Sequence, residues 1–231
     1  MKPFSRFKPG MTVRKLLAER LKETDRSADD LAEAVEVPAH YVTDLISGRR
    51  RPPLPARTDL YERMTRFLRL GRTDLADCAK AERATDEPDL RAPDDEARDQ
   101  ILALCDPDTA KTLKKRAAKN DAEIVDLIAR VLLVVQSSAR RTLHEQIPLR
   151  IQAKRMGASY PDMRLRFLDF LDVSPATVTT ADMSEFVQPH IENWNVDLDS
   201  GVLRVVLRSA GSTERHQRRP VVRTGRARIA S

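Results

Sequence analysis

The sequence predicts a mainly α-helical protein with a short β-hairpin near its C-terminal end. Apolar residues recur at helical spacing along most of the chain, whereas residues 194–207 alternate as strands do. Residues 85–96 are acidic, contain two prolines and lack apolar periodicity, which predicts a linker. We therefore expect an N-terminal unit of five helices over 1–84, a helical C-terminal unit over 97–208 that carries the hairpin, and a tail over 209–231.

An apolar stripe and a capping signal predict the first two helices. The stripe of the first helix comprises Val13, Leu16, Leu17 and Leu21. Ser27 followed by Asp30 is similar to a capping box and should begin the second helix, with an acid in the first turn to suit the helix dipole. Pro38 can open a third helix at its first position, where a missing N–H costs nothing.

Glycine and proline divide the rest of the N-terminal unit. Gly48 is expected to end the third helix in the left-handed conformation. The prolines that follow exclude a helix there: Pro52, Pro53 and Pro55. A fourth amphipathic helix, ended by Gly71, is predicted from Leu60, Tyr61, Met64, Phe67 and Leu68. Thr73 and Asp74 begin a fifth helix.

The segment from Ser27 to Pro52 resembles the helix-turn-helix of the Xre family, the phage-repressor type. The residues that carry the resemblance are Leu31-Ala32, Val37, Val42 with Leu45, Gly48 and Arg49-Arg50-Arg51. With the order of five helices, the resemblance covers about a third of the chain. It implies a transcriptional regulator, with repression as the expected effect, that binds double-stranded DNA in a sequence-specific manner.

The outward face of the third helix supplies the candidate DNA contacts. If Val42, Leu45 and Ile46 face inward, helical geometry turns the short polar side chains outward. The N-terminal part of such a helix enters the major groove, and cations just after the helix can bind phosphates. Ser27, at the start of the second helix, is a further phosphate partner. The candidate site comprises Ser27, Ala39, His40, Tyr41, Thr43, Asp44, Arg49, Arg50 and Arg51, with Tyr41 reaching the flank.

Several acidic residues depart from the family pattern and leave an alternative open. Ala28, followed by Asp29 and Asp30, stands where the family often has a glutamine. Asp44 puts a negative charge on the outward face, and Glu36 replaces the common turn glycine at some cost in backbone strain. The three aspartates favour a protein–protein adaptor or antitoxin-like factor whose helix-turn-helix does not read DNA.

The C-terminal unit is expected to mediate assembly. Its cleanest apolar stripe continues towards Leu143 and comprises Ile124, Leu127, Ile128, Val131, Leu132 and Val135. Further helices are predicted around 101–104, 109–118, 165–171 and 182–191. One helix-turn-helix contacts few base pairs, so we expect a homodimer formed through this stripe and the hairpin. The alternative is that the two pack on each other within one monomer. An effector or protein partner could also bind this unit.

Charge and composition favour contact with a polyanion and argue against a metal-binding protein or an enzyme. The net charge is +6, and it divides into +5 over 1–84, −4 over 85–208 and +5 over 209–231, which suits contact of both ends with a polyanion. Cys78 and Cys105 lack paired spacing, so neither a disulfide framework nor a zinc site is expected. We expect no cofactor and no enzymatic activity, because the histidines are scattered and no phosphate-binding or nucleophile motif occurs.

The sequence also predicts a cytoplasmic protein without membrane contact. The first ten residues lack an apolar signal-peptide core. The run from Ile124 to Val135 is short and is interrupted by Asp126 and Arg130. The tail carries six arginines and almost no core-forming pattern, so we expect it to be disordered when unbound and to contact phosphates.

Overall fold

The computed structural model describes residues 11–84, 93–117 and 121–208. It is mainly helical with one antiparallel hairpin, as predicted. The predicted tail and residues 85–92 of the predicted linker lie outside the described residues. The helices of the N-terminal unit are α1 Val13–Glu23, α2 Ala28–Val35, α3 Ala39–Ser47, α4 Leu60–Phe67 and α5 Asp74–Arg83.

The C-terminal unit contains α6 to α11 and the two strands. Its helices are α6 Asp95–Ala103, α7 Pro107–Ala117, α8 Asp121–His144, α9 Ile147–Met156, α10 Tyr160–Asp172 and α11 Thr180–Asp182. The strands are β1 Ile191–Val196 and β2 Leu203–Leu207. The most extensive helix–helix and helix–strand packing lies within each unit, and the buried apolar side chains of both units form one continuous cluster.

The predicted start of α2 and the predicted end of α3 are confirmed. Ser27 caps α2: its hydroxyl accepts from the Asp30 N–H at 3.0 Å, and the Asp30 carboxylate accepts from the Ser27 N–H at 2.8 Å. Gly48 ends α3 with a left-handed φ of 78°. Glu36, at the turn, is also left-handed with φ 58°, a conformation that is strained for a residue with a side chain. Pro38 lies one position earlier than predicted, at the N-cap of α3.

Several boundaries of helices and of the linker differ from the predicted ones. α4 ends at Phe67 rather than at Gly71, because Arg69 adopts a left-handed φ of 52° and the chain turns there. The linker ends before Asp95, which begins α6 behind the capping residue Asp94. The single helix predicted over 182–191 does not form as such. A short α11 is followed by a wider π-type turn over Met183–Val187, and β1 begins at Ile191.

The predicted stripe and the inward face of strand β1 are buried within the chain. All six stripe residues of α8 are at most 4% exposed, because α8 packs on α10, on β2 and on the Met183–Val187 turn. Trp194 of β1 is 1% exposed and donates its indole N–H to the carbonyl of Ile101 at 2.8 Å. The expectation that the stripe offers an open dimer face is therefore corrected, whereas strand β2 of the hairpin stays partly exposed, with Val206 and Leu207 at 38% and 48%. The packing of α8 on β2 matches the alternative of contact within one monomer.

Helix α10 joins the two units. Its Arg164 is fully buried and donates to the carbonyl of Val35 at 3.1 Å and to the carboxylate of Asp59 at 2.6 Å. At the other end of α10, Arg57 donates to the Leu171 carbonyl at 2.8 Å. Arginines of the N-terminal unit thus meet the negative end of the α10 dipole. The helix-turn-helix is held against α10 by these polar contacts.

Candidate nucleic-acid interface

Helix α3 buries one face and exposes the other. Val42 and Leu45 are buried against the remaining helices of the unit, and Ile46 is half-buried. The opposite face presents four small or polar side chains to solvent: Ala39, His40, Thr43 and Ser47. The Thr43 hydroxyl donates to the Ala39 carbonyl at 3.1 Å, which leaves its oxygen available as an acceptor. The predicted readout face is therefore accessible.

Tyr41 does not belong to that face, which corrects its predicted role at the DNA flank. The residue is 1% exposed and packs in the core. The guanidinium of Arg50 lies 4.9 Å from the centre of its ring. Burial raises the pKa of the Tyr41 hydroxyl well above its usual value, and the charge of Arg50 opposes this shift. Tyr41 supports the end of α3 from inside, and Arg50 lies over its ring.

Asp44 and Arg49 neutralise each other at the C-terminal end of α3. The Arg49 guanidinium donates to the Asp44 carboxylate at 2.7 Å, and the side chains are 67% and 25% exposed. The negative charge that the sequence placed on the outward face is therefore partly compensated. An exposed pair of this kind contributes little to stability, so Arg49 can exchange Asp44 for a phosphate at low cost.

Arg50 pairs with Asp169 of α10, a contact that sequence reasoning did not find. A cleft of about 390 Å³ separates the end of α3 from α10 and is lined by Tyr41, Asp44, Arg49, Arg50, Arg51, Pro53, Leu168, Asp169 and Asp172. Its three arginines and three aspartates balance in formal charge. A phosphate that binds Arg50 has to compete with the carboxylate of Asp169.

The capping box also changes the predicted role of Ser27. Hydrogen bonds from the backbone and hydroxyl of Ser27 lower the pKa of the Asp30 carboxyl, so Asp30 stays ionised at the N-terminus of α2. The free N–H groups and the positive dipole end would otherwise attract a phosphate here. A fixed carboxylate already occupies this position, which makes Ser27 a poor phosphate ligand.

Helix α9, which the sequence analysis did not single out, carries basic residues beside the helix-turn-helix. Arg150 contacts the Glu36 carboxylate at 2.9 Å, and its guanidinium lies 4.0 Å from the ring centre of Tyr160. Lys154 and Arg155 are exposed on the same helix, which contains no acidic residue. The sequence did contain a signal for this basic helix: two basic residues lie one helical turn apart, with no acidic residue between them.

A second cleft and the two cysteines lie away from α3. A polar cleft of about 630 Å³ lies between α4 and the α8–α9 junction, and its charged side chains include Arg63, which pairs with the carboxylates of both Glu36 and Asp59. Among the described residues, no group of His, Cys, Asp and Glu could hold a metal ion. Cys78 and Cys105 are buried, and burial raises the pKa of each thiol to about 11.

No described helix has the length and apolar character needed to cross a membrane. Comparison of the chain with models of protein families, with curated proteins and with solved structures gives no match.

Proposed function

We propose that this chain is a DNA-binding transcriptional regulator of the Xre type, most simply a repressor, that acts in the cytoplasm. The observation that carries the proposal is the exposed face of α3, where His40 and Thr43 stand clear of the core. Short polar side chains at the start of such a helix can hydrogen-bond to base edges in the major groove. Arg49 flanks the same face and supplies a cation for a phosphate.

We further propose that the regulator binds as a homodimer, because one α3 helix reads too few base pairs for a specific site. The apolar stripe of α8 is buried within the chain and cannot form the interface. Among the described residues of the C-terminal unit, the large apolar side chains that stay exposed are Leu133, Ile147, Ile151, Met156, Val202, Val206 and Leu207. A dimer through the C-terminal unit would use part of this set.

A protein–protein adaptor is the second candidate, and a specific observation favours it. The carboxylate of Asp30 caps α2 where a DNA phosphate would otherwise bind, and Asp44 lies at the edge of the α3 face. Both charges oppose a DNA backbone and would suit a basic protein surface. The two candidates therefore differ in their response to duplex DNA.

Binding of the full chain to genomic duplex fragments separates the two candidates. Fluorescence anisotropy or mobility shift at two salt concentrations should show binding that weakens steeply with salt and that selects a recurrent sequence. The double variant His40→Ala, Thr43→Ala should lose base preference at one or two positions, at about 1–3 kcal/mol for each bidentate contact. Absence of sequence selection by the unmodified chain would contradict the proposal and favour the adaptor.

A matched control uses residues of the same kind away from α3. Ser137 is exposed, and its hydroxyl donates to the carbonyl four residues earlier, as that of Thr43 does. His144 is exposed at the end of α8. The double variant Ser137→Ala, His144→Ala should select the same sequence as the unmodified chain. A change in its selected sequence would show that the loss of base preference is not specific to α3 and would contradict the assignment of readout to that helix.

A further inference from the structure

The cations best placed to meet DNA are not those that follow α3. Arg50 is paired with Asp169 and Arg49 with Asp44, so each must give up a carboxylate before it binds a phosphate. Lys154 and Arg155 of α9 are exposed, and within the described part of the chain neither side chain has an ion-pair or hydrogen-bond partner. Their charges are available without breaking an existing contact.

Contacts of Arg150 fix where these cations lie. Arg150 reaches the Glu36 carboxylate, in the turn of the helix-turn-helix, at 2.9 Å. Lys154 follows Arg150 by four residues, so it lies on the same face of α9, about 6 Å further along. Ala39, the first residue of α3, follows Glu36 by three residues and is therefore at most about 11 Å away from it. Lys154 thus lies about one helical turn of α9 from a residue that contacts the turn before the N-terminal end of α3, and Arg155 follows Lys154 directly.

This end of α3 is the one expected to enter the major groove, and DNA phosphates line both sides of that groove. We propose that α9 is a second DNA-contacting element, in which Lys154 and Arg155 bind phosphates that flank the half-site read by α3. This inference rests on the proposed DNA-binding function. It adds a phosphate clamp supplied by the C-terminal unit, on the opposite end of α3 from Arg49 and Arg50.

Exposed Ile147 and Ile151 give α9 an apolar side as well, at 70% and 50% exposure. A basic helix with exposed apolar residues can also bind an anionic membrane surface. The contact of Arg150 with the turn before α3 favours DNA, because it makes the basic side of α9 continuous with the readout helix. Anionic vesicles are therefore included in the test as the competing partner.

The test compares the full chain with the double variant Lys154→Gln, Arg155→Gln, using anisotropy of a labelled duplex over a range of salt. Loss of two phosphate contacts should flatten the slope of log affinity against log salt by about 2 and weaken binding at least about 10-fold at low salt. The base preference should not change, because phosphate contacts carry no sequence information.

The matched control is Lys111→Gln, Lys115→Gln, which removes two exposed cations from α7. α7 lies at the far end of α8: Arg116 of α7 contacts Glu123 at 3.1 Å, whereas Arg140, near the opposite end, reaches the N-terminal unit at Ala56. α8 has 24 residues and is about 36 Å long, so this pair should not reach the same duplex. Its salt slope should match that of the unmodified chain.

The outcomes separate this inference from the proposed function. If the unmodified chain binds duplex DNA and the α9 variant keeps the full salt slope, the clamp is wrong and the DNA-binding proposal stands. If the α9 and α7 variants lose affinity equally, the effect is one of net charge and the clamp is again wrong. Loss of binding to anionic phospholipid vesicles, with DNA binding unchanged, would assign α9 to a membrane surface. Absence of DNA binding by the unmodified chain overturns both proposals.

Discussion

Removal of the Asp59 carboxylate should destabilise the chain more than any exposed charge change, because it leaves Arg164 charged in the core. Arg164 is 0% exposed and loses its 2.6 Å contact in Asp59→Ala, while its Nη1 is already buried without a partner. Breaking a buried ion pair by removing one member costs about 3–5 kcal/mol. Asp59→Ala also breaks the 2.8 Å pair with Arg63, but Arg63 keeps its pair with Glu36, and Asp59 makes no side-chain capping bond to α4.

Urea unfolding of the full chain, followed by circular dichroism, measures this cost in the free energy of unfolding. With a slope of about 3 kcal/mol per molar urea, the midpoint should fall by about 1–1.7 M. Glu62→Ala is the matched control on the same helix: its partner Arg66 is 77% exposed, and the change should cost less than about 1 kcal/mol. Arg164→Met removes the buried charge itself and should cost less than Asp59→Ala. A cost below about 1 kcal/mol for Asp59→Ala, or the reverse order of the two variants, would refute the reasoning.

Three further outcomes are expected. Asp169→Asn should strengthen binding to duplex DNA and steepen its salt slope by up to about 1, because it frees the arginine paired with Asp169; an unchanged slope would show that this arginine does not meet a phosphate. At pH 8, Cys78 and Cys105 of the native chain should react with a maleimide much more slowly than in urea, since their pKa of about 11 keeps the thiols protonated; equal rates would contradict the burial. Sedimentation at tens of micromolar should give about twice the chain mass of 26.2 kDa, and a monomer that binds its operator tightly would exclude the dimer.

Local signals in the sequence were sufficient to predict the helix-turn-helix. Ser27 with Asp30, Gly48 and the apolar spacing of α2 and α3 act within a few residues of one another, so they can be read without knowledge of the tertiary fold. The same holds for the hairpin, whose turn at Gly201 has a left-handed φ of 68°. The burial of Tyr41 could not be predicted in this way, because it depends on which neighbours cover that side of α3.

Contacts between the two units were beyond sequence reasoning. Arg50 and Asp169 are separated by 119 residues, and Arg164 and Asp59 by 105, and nothing in their local sequence pairs them. α9 was missed for a different reason. Pro148 fits only the first turn of a helix and so marks the start of α9, but this signal was not used because the apolar pattern of α9 is weak. Sequence patterns define elements, whereas the candidate interface depends on how α9 and α10 meet the N-terminal unit.

Net charge alone overstates the charge that is available for DNA. Residues 1–84 carry a net +5, yet several of their arginines serve the fold. Arg26 donates to the Phe67 carbonyl at 2.9 Å, Arg57 holds the end of α10, and Arg83 contacts the Asp172 carboxylate at 2.5 Å. A guanidinium with such a partner can bind a phosphate strongly only if it loses that structural contact. The salt dependence of DNA binding should therefore follow the number of exposed, unpaired cations near α3. Substitution of the two cations on α9 tests this expectation most directly.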